Sequence, residues 1–287
     1  MRLRLPIALA STVGLAFVCA PAALADTSQS SNWAGYAIHR NGVSFSKVVG
    51  AWRQPHAACT PGEPSYSAVW VGIGGYSITS DALEQIGTEV DCTAAGKVAS
   101  SAWYEMVPAA SQTIKLIVRP GDELSASVRV LGRTVQLTLD DLTRHRAFTK
   151  TLDASVVDVS SAEWIVEAPS TCLSNNSCQT LPLANFGSTG FDRARAESTT
   201  GHTGSIADHA WDSTEISLAP AGRHFVIYHR PDAAPGSATP SALGRSGSSF
   251  KVTYHEAPIP VTPVTPAFSK RRSPGSAAQL VHPGLTP

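Results

Sequence analysis

The sequence has few charged residues, and neither sign of charge is in excess. Charged side chains make up 15% of the 287 residues, with 22 Lys plus Arg against 22 Asp plus Glu. No basic stripe is available to neutralise a phosphate backbone, so we expect no nucleic-acid partner. Beyond the N-terminus there is also no apolar run of about 18 residues, which argues against several membrane spans.

The N-terminal segment has the pattern of a secretory signal peptide. Two arginines precede an apolar stretch over residues 6–20, and Ala23-Leu24-Ala25 supplies a small-x-small cleavage pattern. We therefore expect a signal peptide over residues 1–25, cleavage after Ala25, and a secreted, extracellular mature protein. An uncleaved membrane anchor is the alternative, which the shortness of the apolar stretch disfavours.

Cysteine is scarce, and cleavage of the signal peptide would remove Cys19. The mature chain keeps Cys59, Cys92, Cys172 and Cys178. In an oxidising compartment four cysteines indicate two disulfides, for which three pairings are possible. Cys172 and Cys178 bracket a turn-rich stretch, so we expect them to pair, which leaves Cys59 with Cys92. A metal site is the competing interpretation, but the nine histidines are scattered rather than set at ligand spacing, so we expect no metal.

Short runs of β-branched and aromatic residues, separated by turn signals, predict an all-β protein. Residues 134–139 alternate cleanly, with Val135, Leu137 and Leu139 on one face. Further strands are expected over residues 112–118, 124–131, 154–167, 225–229 and 250–255. No long segment has the helical period. Many short strands of this kind favour an antiparallel β-sandwich or a barrel.

The sequence predicts one β-sandwich domain over residues 26–256. Within it, residues 233–249 are small and polar, and we expect them to form a loop. Residues 257–287 contain Pro-Val-Thr-Pro repeats and too few apolar residues to pack, so we expect a disordered tail.

Several polar side chains stand in otherwise apolar strands. They are Gln85, Glu105, Glu163 and Glu167. Because alternate residues of a strand share a face, Glu163 and Glu167 point the same way, and Trp103 shares a face with Glu105. Carboxylates, an amide and tryptophans on one face indicate a cleft floor. The alternative is an ordinary solvent-facing side of the sheet.

Five segments together resemble the glutamic peptidase (eqolisin) family, and they occur in the family's order. They are Asn32-Trp33-Ala34-Gly35, Ala68-Val69-Trp70-Val71-Gly72-Ile73, Leu83-Glu84-Gln85-Ile86-Gly87, Ala102-Trp103-Tyr104-Glu105 and Ala162-Glu163-Trp164-Ile165-Val166-Glu167. Cys172 and Cys178 fall where the family has a short disulfide loop. The family often has an aspartate after its Val-Gly-Ile strand, where this chain has Gly74.

The resemblance implies a β-sandwich of the lectin/glucanase type that acts on proteins or peptides as a monomer without a cofactor. Glu167 would be the general base and then the general acid, while Gln85 would hold the water and stabilise the oxyanion. Supporting or cleft-lining positions would be Glu105, Trp103, Trp33, Trp70 and Glu163. An ordinary glutamate pKa of about 4.3 would place the optimum at acidic pH.

Two other function classes remain open from the sequence. A β-sandwich glycoside hydrolase would use Glu105 and Glu167 as its pair of acids, but it needs no amide at Gln85. A non-catalytic, lectin-like binding module would keep the fold without turnover.

Overall fold

The computed structural model describes residues 26–174, 177–220, 222–223, 225 and 236–256. Their regular structure is all β, as predicted, and none of them forms a helix long and apolar enough to cross a membrane. The strands are β1 Asp26–Ser30, β2 Trp33–His39, β3 Phe45–Arg53, β4 Ala68–Gly74, β5 Leu83–Cys92, β6 Val98–Val107, β7 Gln112–Ile114, β8 Glu123–Leu131, β9 Thr134–Asp141, β10 Arg146–Asp153, β11 Ser161–Glu167, β12 Ser170–Ser174, β13 Ser177–Thr180, β14 Ser188–Ser198, β15 Thr203–Ser205, β16 Asp212–Leu218, β17 Ser237–Pro240 and β18 Phe250–His255.

One large sheet holds all the strands except the β12–β13 hairpin. Its main path is antiparallel throughout, in the order β10-β9-β8-β3-β14-β18-β17-β16-β2-β11-β4-β5-β6-β7. Outside this path, β1 pairs in parallel with β16, and β15 pairs with β14. Strands that are neighbours in the sheet are often far apart in sequence, which is typical of sandwich folds.

The two halves of this sheet pack face to face, which confirms the predicted β-sandwich. Their shared core joins Val71, Ile86 and Trp164 on one half to Val128 and Leu137 on the other. Two indole hydrogen bonds also cross the sandwich, from Trp164 Nε1 to the Val49 carbonyl (2.8 Å) and from Trp52 Nε1 to Thr88 Oγ1 (3.2 Å). These bonds satisfy polar atoms that the core would otherwise leave unpaired.

One half of the sandwich, which contains β2, β11, β4, β5 and β6, has apolar side chains on both of its faces because both faces are covered. Every residue of β4 is buried. One side of β4 joins the shared core, and the other joins a smaller cluster of Trp33, Trp70, Trp103 and Phe225 with five further apolar residues. We call this second side the site face. It is the face of β2, β11, β4, β5 and β6 that carries Trp33, Glu167, Trp70, Gln85 and Trp103.

Most of the predicted strands are present, but three predicted segments were wrong in part. In the 112–118 segment only β7 forms, pairing with β6 over three residues. In the 154–167 segment the strand begins at Ser161, because the Asp158 side chain accepts a bond from the Ser160 amide and forms a turn there. The predicted loop 233–249 contains β17, which pairs with β18.

Three sequence predictions fall wholly or mainly outside the described residues. They are the signal peptide at 1–25, the tail at 257–287, and the strand at 225–229 except for Phe225. The chain's division into these regions therefore stays a prediction.

The Cys59–Cys92 disulfide is confirmed, with a Cα–Cα distance of 5.2 Å. It joins two positions that are 33 apart in the sequence, and the segment between them includes β4 and most of β5. Cys172 and Cys178 stand opposite each other in the register of β12 and β13. Their side chains lie outside the described residues, so this second pair stays a prediction.

Candidate active site

Strand register brings the polar residues to the site face in two rows. Glu163 on β11 stands opposite Gly72 on β4, Gly72 stands opposite Gln85 on β5, and Gln85 stands opposite Glu105 on β6. Glu167 lies four residues after Glu163 on the same face of β11, where it is paired with Trp33 of β2. Because Gly72 has no side chain, the first row is interrupted between Glu163 and Gln85.

Glu167 is held by N–H donors on both of its carboxylate oxygens. Trp70 Nε1 donates to Oε2 at 2.7 Å, and Asn32 Nδ2 donates to Oε1 at 3.3 Å. Asn32 is itself fixed, because Phe225 N donates to its Oδ1 at 3.1 Å and Ser30 Oγ donates to the same atom at 2.9 Å. The carboxyl group therefore has a defined orientation before any substrate binds.

Gln85 is positioned by Glu105. Gln85 Nε2 donates to Glu105 Oε2 at 2.6 Å, and the Gln85 side chain is buried. Gln85 Oε1 is also buried but has no hydrogen-bond partner among the described residues. One amide hydrogen and the amide oxygen are thus left for a ligand, since a primary amide offers two donors and one acceptor oxygen.

Three tryptophans border the two polar rows. Trp33 packs edge-on against Trp70 with ring centroids 5.0 Å apart, and it stacks on Phe225 at 4.5 Å. Trp103 is also buried, and its Nε1 has no hydrogen-bond partner among the described residues. All three tryptophans were predicted to be supporting or cleft-lining positions. In the structure Trp70 contacts Glu167 directly, whereas Trp33 belongs to the aromatic packing beside it.

Two glycines make room for Trp70. A β-carbon at Gly87 would lie 2.5 Å from Trp70 Cβ, and one at Gly72 would lie 3.0 Å from Trp70 Cζ3. Such distances are closer than packed carbon atoms tolerate. The absence of a side chain at Gly72 therefore leaves room for the indole ring, and its absence at Gly87 lets β5 lie close against Cα and Cβ of Trp70.

Burial raises the pKa values of both carboxyl groups of the site. The pKa of Glu167 is raised to about 8, chiefly by burial and further by the negative charge of Glu105, while the bonds from Trp70 and Asn32 act in the opposite direction. The pKa of Glu105 is raised to about 7, again chiefly by burial, although its bond from Gln85 lowers it. The negative charge of Glu105 therefore disfavours ionisation of Glu167, so that Glu167 holds its proton more tightly than burial alone would make it.

Glu163 lies on the same face but outside this contact network. Its side chain is fully buried, and neither carboxylate oxygen has a hydrogen-bond partner among the described residues. Burial raises its pKa well above the ordinary value, and the negative charges of Asp158 and Glu84 add to this effect. Glu163 therefore belongs to a buried acidic group beside the site.

Asp158 lies beside Gly74, the position at which the family often has an aspartate. A β-carbon at Gly74 would lie 2.8 Å from the Asp158 β-carbon. The Asp158 carboxylate accepts bonds from Ser80 Oγ and, at 3.2 Å, from the Gly75 amide. A carboxylate from a different segment thus lies beside Gly74. No spacing in the sequence pointed to it, because Asp158 and Gly74 are joined only by the fold.

Sequence reasoning also missed the direct contacts that surround Glu167. Asn32 was part of a quoted motif, but its bond to Glu167 depends on the pairing of β2 with β11. Phe225 contacts Asn32 and Trp33, and Arg223 and Tyr76 pack on Phe225 rather than on Glu167. These residues come from segments distant from β11, so no local pattern indicated them. Within the described ranges, no group of three or more His, Cys, Asp or Glu residues is arranged to hold a metal ion.

Comparison with known proteins gives one family match and several structural matches. The family described as the peptidase A4 family matches residues 31–218. Aspergilloglutamic peptidase from Aspergillus niger is similar, with 26% identity, 67% of this chain and 99% of that chain covered, and a TM-score of 0.53. No curated protein matches the chain.

Two further solved structures share the fold at lower identity. Scytalido-glutamic peptidase, solved with a peptide-based transition-state analogue, is 23% identical over 78% of this chain and 98% of that chain, with a TM-score of 0.60. SCP-B, a member of the eqolisin family solved with the tripeptide Ala-Ile-His, is 22% identical over the same shares, with a TM-score of 0.56.

Proposed function

The chain belongs to the peptidase A4 family, and from this premise we propose that Glu167 and Gln85 hydrolyse peptide bonds on the site face. Peptidase activity itself follows from the family, so the chain is a hydrolase of the glutamic peptidase type. What we propose beyond this is which residues catalyse the reaction, which substrates they cleave and where the enzyme is located. The proposal rests most directly on the fixed Glu167 carboxyl, whose two oxygens are both held by N–H donors.

Glu167 acts as the base and then as the acid. In its ionised form it takes a proton from a water molecule as that water attacks the carbonyl carbon of the substrate. The resulting carboxylic acid then gives the proton to the leaving nitrogen as the C–N bond breaks. Trp70 and Asn32 keep the carboxyl in one orientation through both steps, because their bonds need no rearrangement between them.

Gln85 supplies the polar atoms that the tetrahedral intermediate requires. Its Nε2 uses one hydrogen on Glu105, and the second is free to donate to the developing oxyanion. Its unpartnered Oε1 accepts a hydrogen from the attacking water. Glu105 is a positioning residue in this scheme, because it acts through the orientation of the Gln85 amide.

Proteins or peptides are the proposed substrates. Two of the similar structures contain a peptide-based transition-state analogue and the tripeptide Ala-Ile-His, respectively. We propose that this chain binds an extended peptide in the corresponding place, as a monomer. The sequence features of residues 1–25 favour secretion, which would place the enzyme and its substrates outside the cell.

The working range is proposed to lie near neutral pH, above the acidic optimum that an ordinary glutamate would give. Glu167 does not have the ordinary glutamate pKa that predicts an acidic optimum, because burial raises its pKa to about 8. Activity on the acid side is therefore limited by protonation of Glu167. Activity on the alkaline side is limited by stability, since the folded state holds several buried carboxyl groups in their protonated form.

The test is hydrolysis of casein and of a neutral reporter peptide by the purified mature chain, in the presence of a chelator and a serine-peptidase inhibitor. We expect turnover that Glu167→Gln reduces by at least about 1,000-fold and Gln85→Ala by about 100- to 1,000-fold. Glu123→Gln, which changes an exposed carboxylate on β8, is the control and should behave as the parent. Full activity in either site variant would refute the assignment.

A further inference from the structure

Arg223 stands beside the site face on a stack of aromatic rings. Its guanidinium carbon lies 4.1 Å from the Phe225 ring centroid and 5.5 Å from that of Tyr76. Its Nη2 donates to the Tyr76 carbonyl at 2.8 Å. Phe225 in turn stacks on Trp33, the β2 residue that is paired with Glu167. Two aromatic rings therefore separate the guanidinium group from the Glu167 row.

The backbone around Arg223 is fixed by the same short segment that holds Glu167. The Arg223 amide donates to the Gln29 carbonyl at 2.9 Å, and the Ser31 amide donates to the Arg223 carbonyl at 2.9 Å. Asn32, the next residue along, bonds to both Phe225 and Glu167. The guanidinium group and the Glu167 carboxyl are therefore positioned relative to each other before a substrate arrives.

The positive charge of Arg223 has no counter-ion among the described residues. No Asp or Glu oxygen of the described residues lies within 4.0 Å of its guanidinium nitrogens. Other described arginines such as Arg133 and Arg195 are also without such a partner, so what distinguishes Arg223 is its place over the Phe225 ring beside the site face. Its contacts are a carbonyl oxygen and two ring faces, which hold the group in place without neutralising it. Most of its five N–H donors remain available, and Arg223 is exposed to solvent.

We propose that Arg223 forms a subsite for a carboxylate of the peptide substrate. The enzyme would then prefer peptides that carry an acidic side chain, or their own C-terminal carboxylate, a few residues from the bond that is cleaved. An extended peptide advances about 3.3 Å per residue, so a chain cleaved at Glu167 reaches the guanidinium group within a few positions. The inference rests on the proposed function, because it takes Glu167 as the point of cleavage.

The test uses a neutral reporter peptide and variants that carry Glu or Gln at successive positions on each side of the cleaved bond. All of these peptides have amidated C-termini, and a further arm compares free with amidated ends. For the parent enzyme we expect kcat/KM about tenfold higher for Glu than for Gln at one position, or for the free end. A side-chain preference should disappear as the pH falls below about 4.3, where the substrate glutamate is protonated.

Substitution of Arg223 should change this ratio specifically. Arg223→Gln should bring the ratio of kcat/KM values close to one, and Arg223→Lys should keep part of it because the charge remains. Arg53→Gln, at an exposed arginine on β3, should keep the parental ratio. If Arg223→Gln does not fold, the lysine variant and the pH dependence of the parental ratio decide the question.

Failure of this inference is distinguishable from failure of the proposed function. A parental ratio near one at every position and for both chain ends would overturn the subsite, and so would a ratio that Arg223→Gln leaves intact. Either result leaves the catalytic assignment standing as long as Glu167→Gln does not cleave the neutral peptide. Cleavage of that neutral peptide by Glu167→Gln would instead overturn the catalytic assignment, whatever the ratio.

Discussion

At the scale of single residues, the faces that Gln85 and Glu167 occupy could be predicted but their surroundings could not. Gln85 and Glu167 each stand in a short motif and in an apolar strand, so alternation alone gives the face that each occupies. The bonds from Trp70 and Asn32 to Glu167 depend on which strands become neighbours. Asp158 beside Gly74 gave no local signal at all, because a loop brings it there.

The charge of Glu105 should influence the pH at which Glu167 becomes active. Glu105 raises the pKa of Glu167, so Glu105→Gln should lower that pKa and increase the ionised fraction at any given acidic pH. We expect the acid limb of the kcat/KM profile to move to lower pH, with Glu123→Gln unchanged as the control. An acid limb that stays in place would show that Glu105 does not act on the base.

At the scale of strands, the element types were predictable and the register was not. The alternation of Val135, Leu137 and Leu139 placed β9 correctly, and all three side chains are fully buried. The row that places Gln85 opposite both Gly72 and Glu105 requires the pairing of β4, β5 and β6, which no local pattern specifies. The short β17 was missed because its small, polar residues are typical of a loop.

The space above Gly87 should be necessary for the position of Trp70. Gly87→Ala places a β-carbon 2.3 Å from the Val69 carbonyl oxygen and 2.5 Å from Trp70 Cβ, so that β4 has to shift. We therefore expect a loss of about 1–3 kcal/mol in unfolding free energy and a fall in kcat. Gly190→Ala in β14 is a matched control, since its β-carbon would meet no atom closer than 3.3 Å. Denaturant unfolding and peptide turnover measure the two effects. A Gly87→Ala enzyme with parental kcat would contradict the role of this glycine.

At the scale of the whole molecule, buried carboxyl groups should make the fold more stable in acid than in mild alkali. The pKa values of Glu84 and Glu167 are raised to about 8, and those of Asp91 and Glu105 to about 7, in each case chiefly by burial. Glu163 is raised well above its ordinary value for the same reason. Since the folded state binds these protons more tightly than the unfolded chain, their contribution is complete below about pH 4.5 and is lost as the pH rises toward 8.

Denaturant titrations between pH 4.5 and 8 measure this effect. We expect the unfolding free energy to decrease with pH, by up to about 1.4 kcal/mol per pH unit for each group that titrates. Glu163→Gln removes one such group and should make the slope shallower, whereas the exposed Glu123→Gln should not change it. Stability that is constant or increases over this range would mean that the carboxyls are not held protonated.

The most direct measurement is a double-mutant cycle on kcat with Glu167→Gln, Gln85→Ala and the two combined, using one neutral peptide. If the carboxyl and the amide act in the same step, the double variant should be about as slow as Glu167→Gln alone. Rate losses that multiply instead, so that the double variant is slower by the product of the two single effects, would show that the residues act independently and would contradict the account.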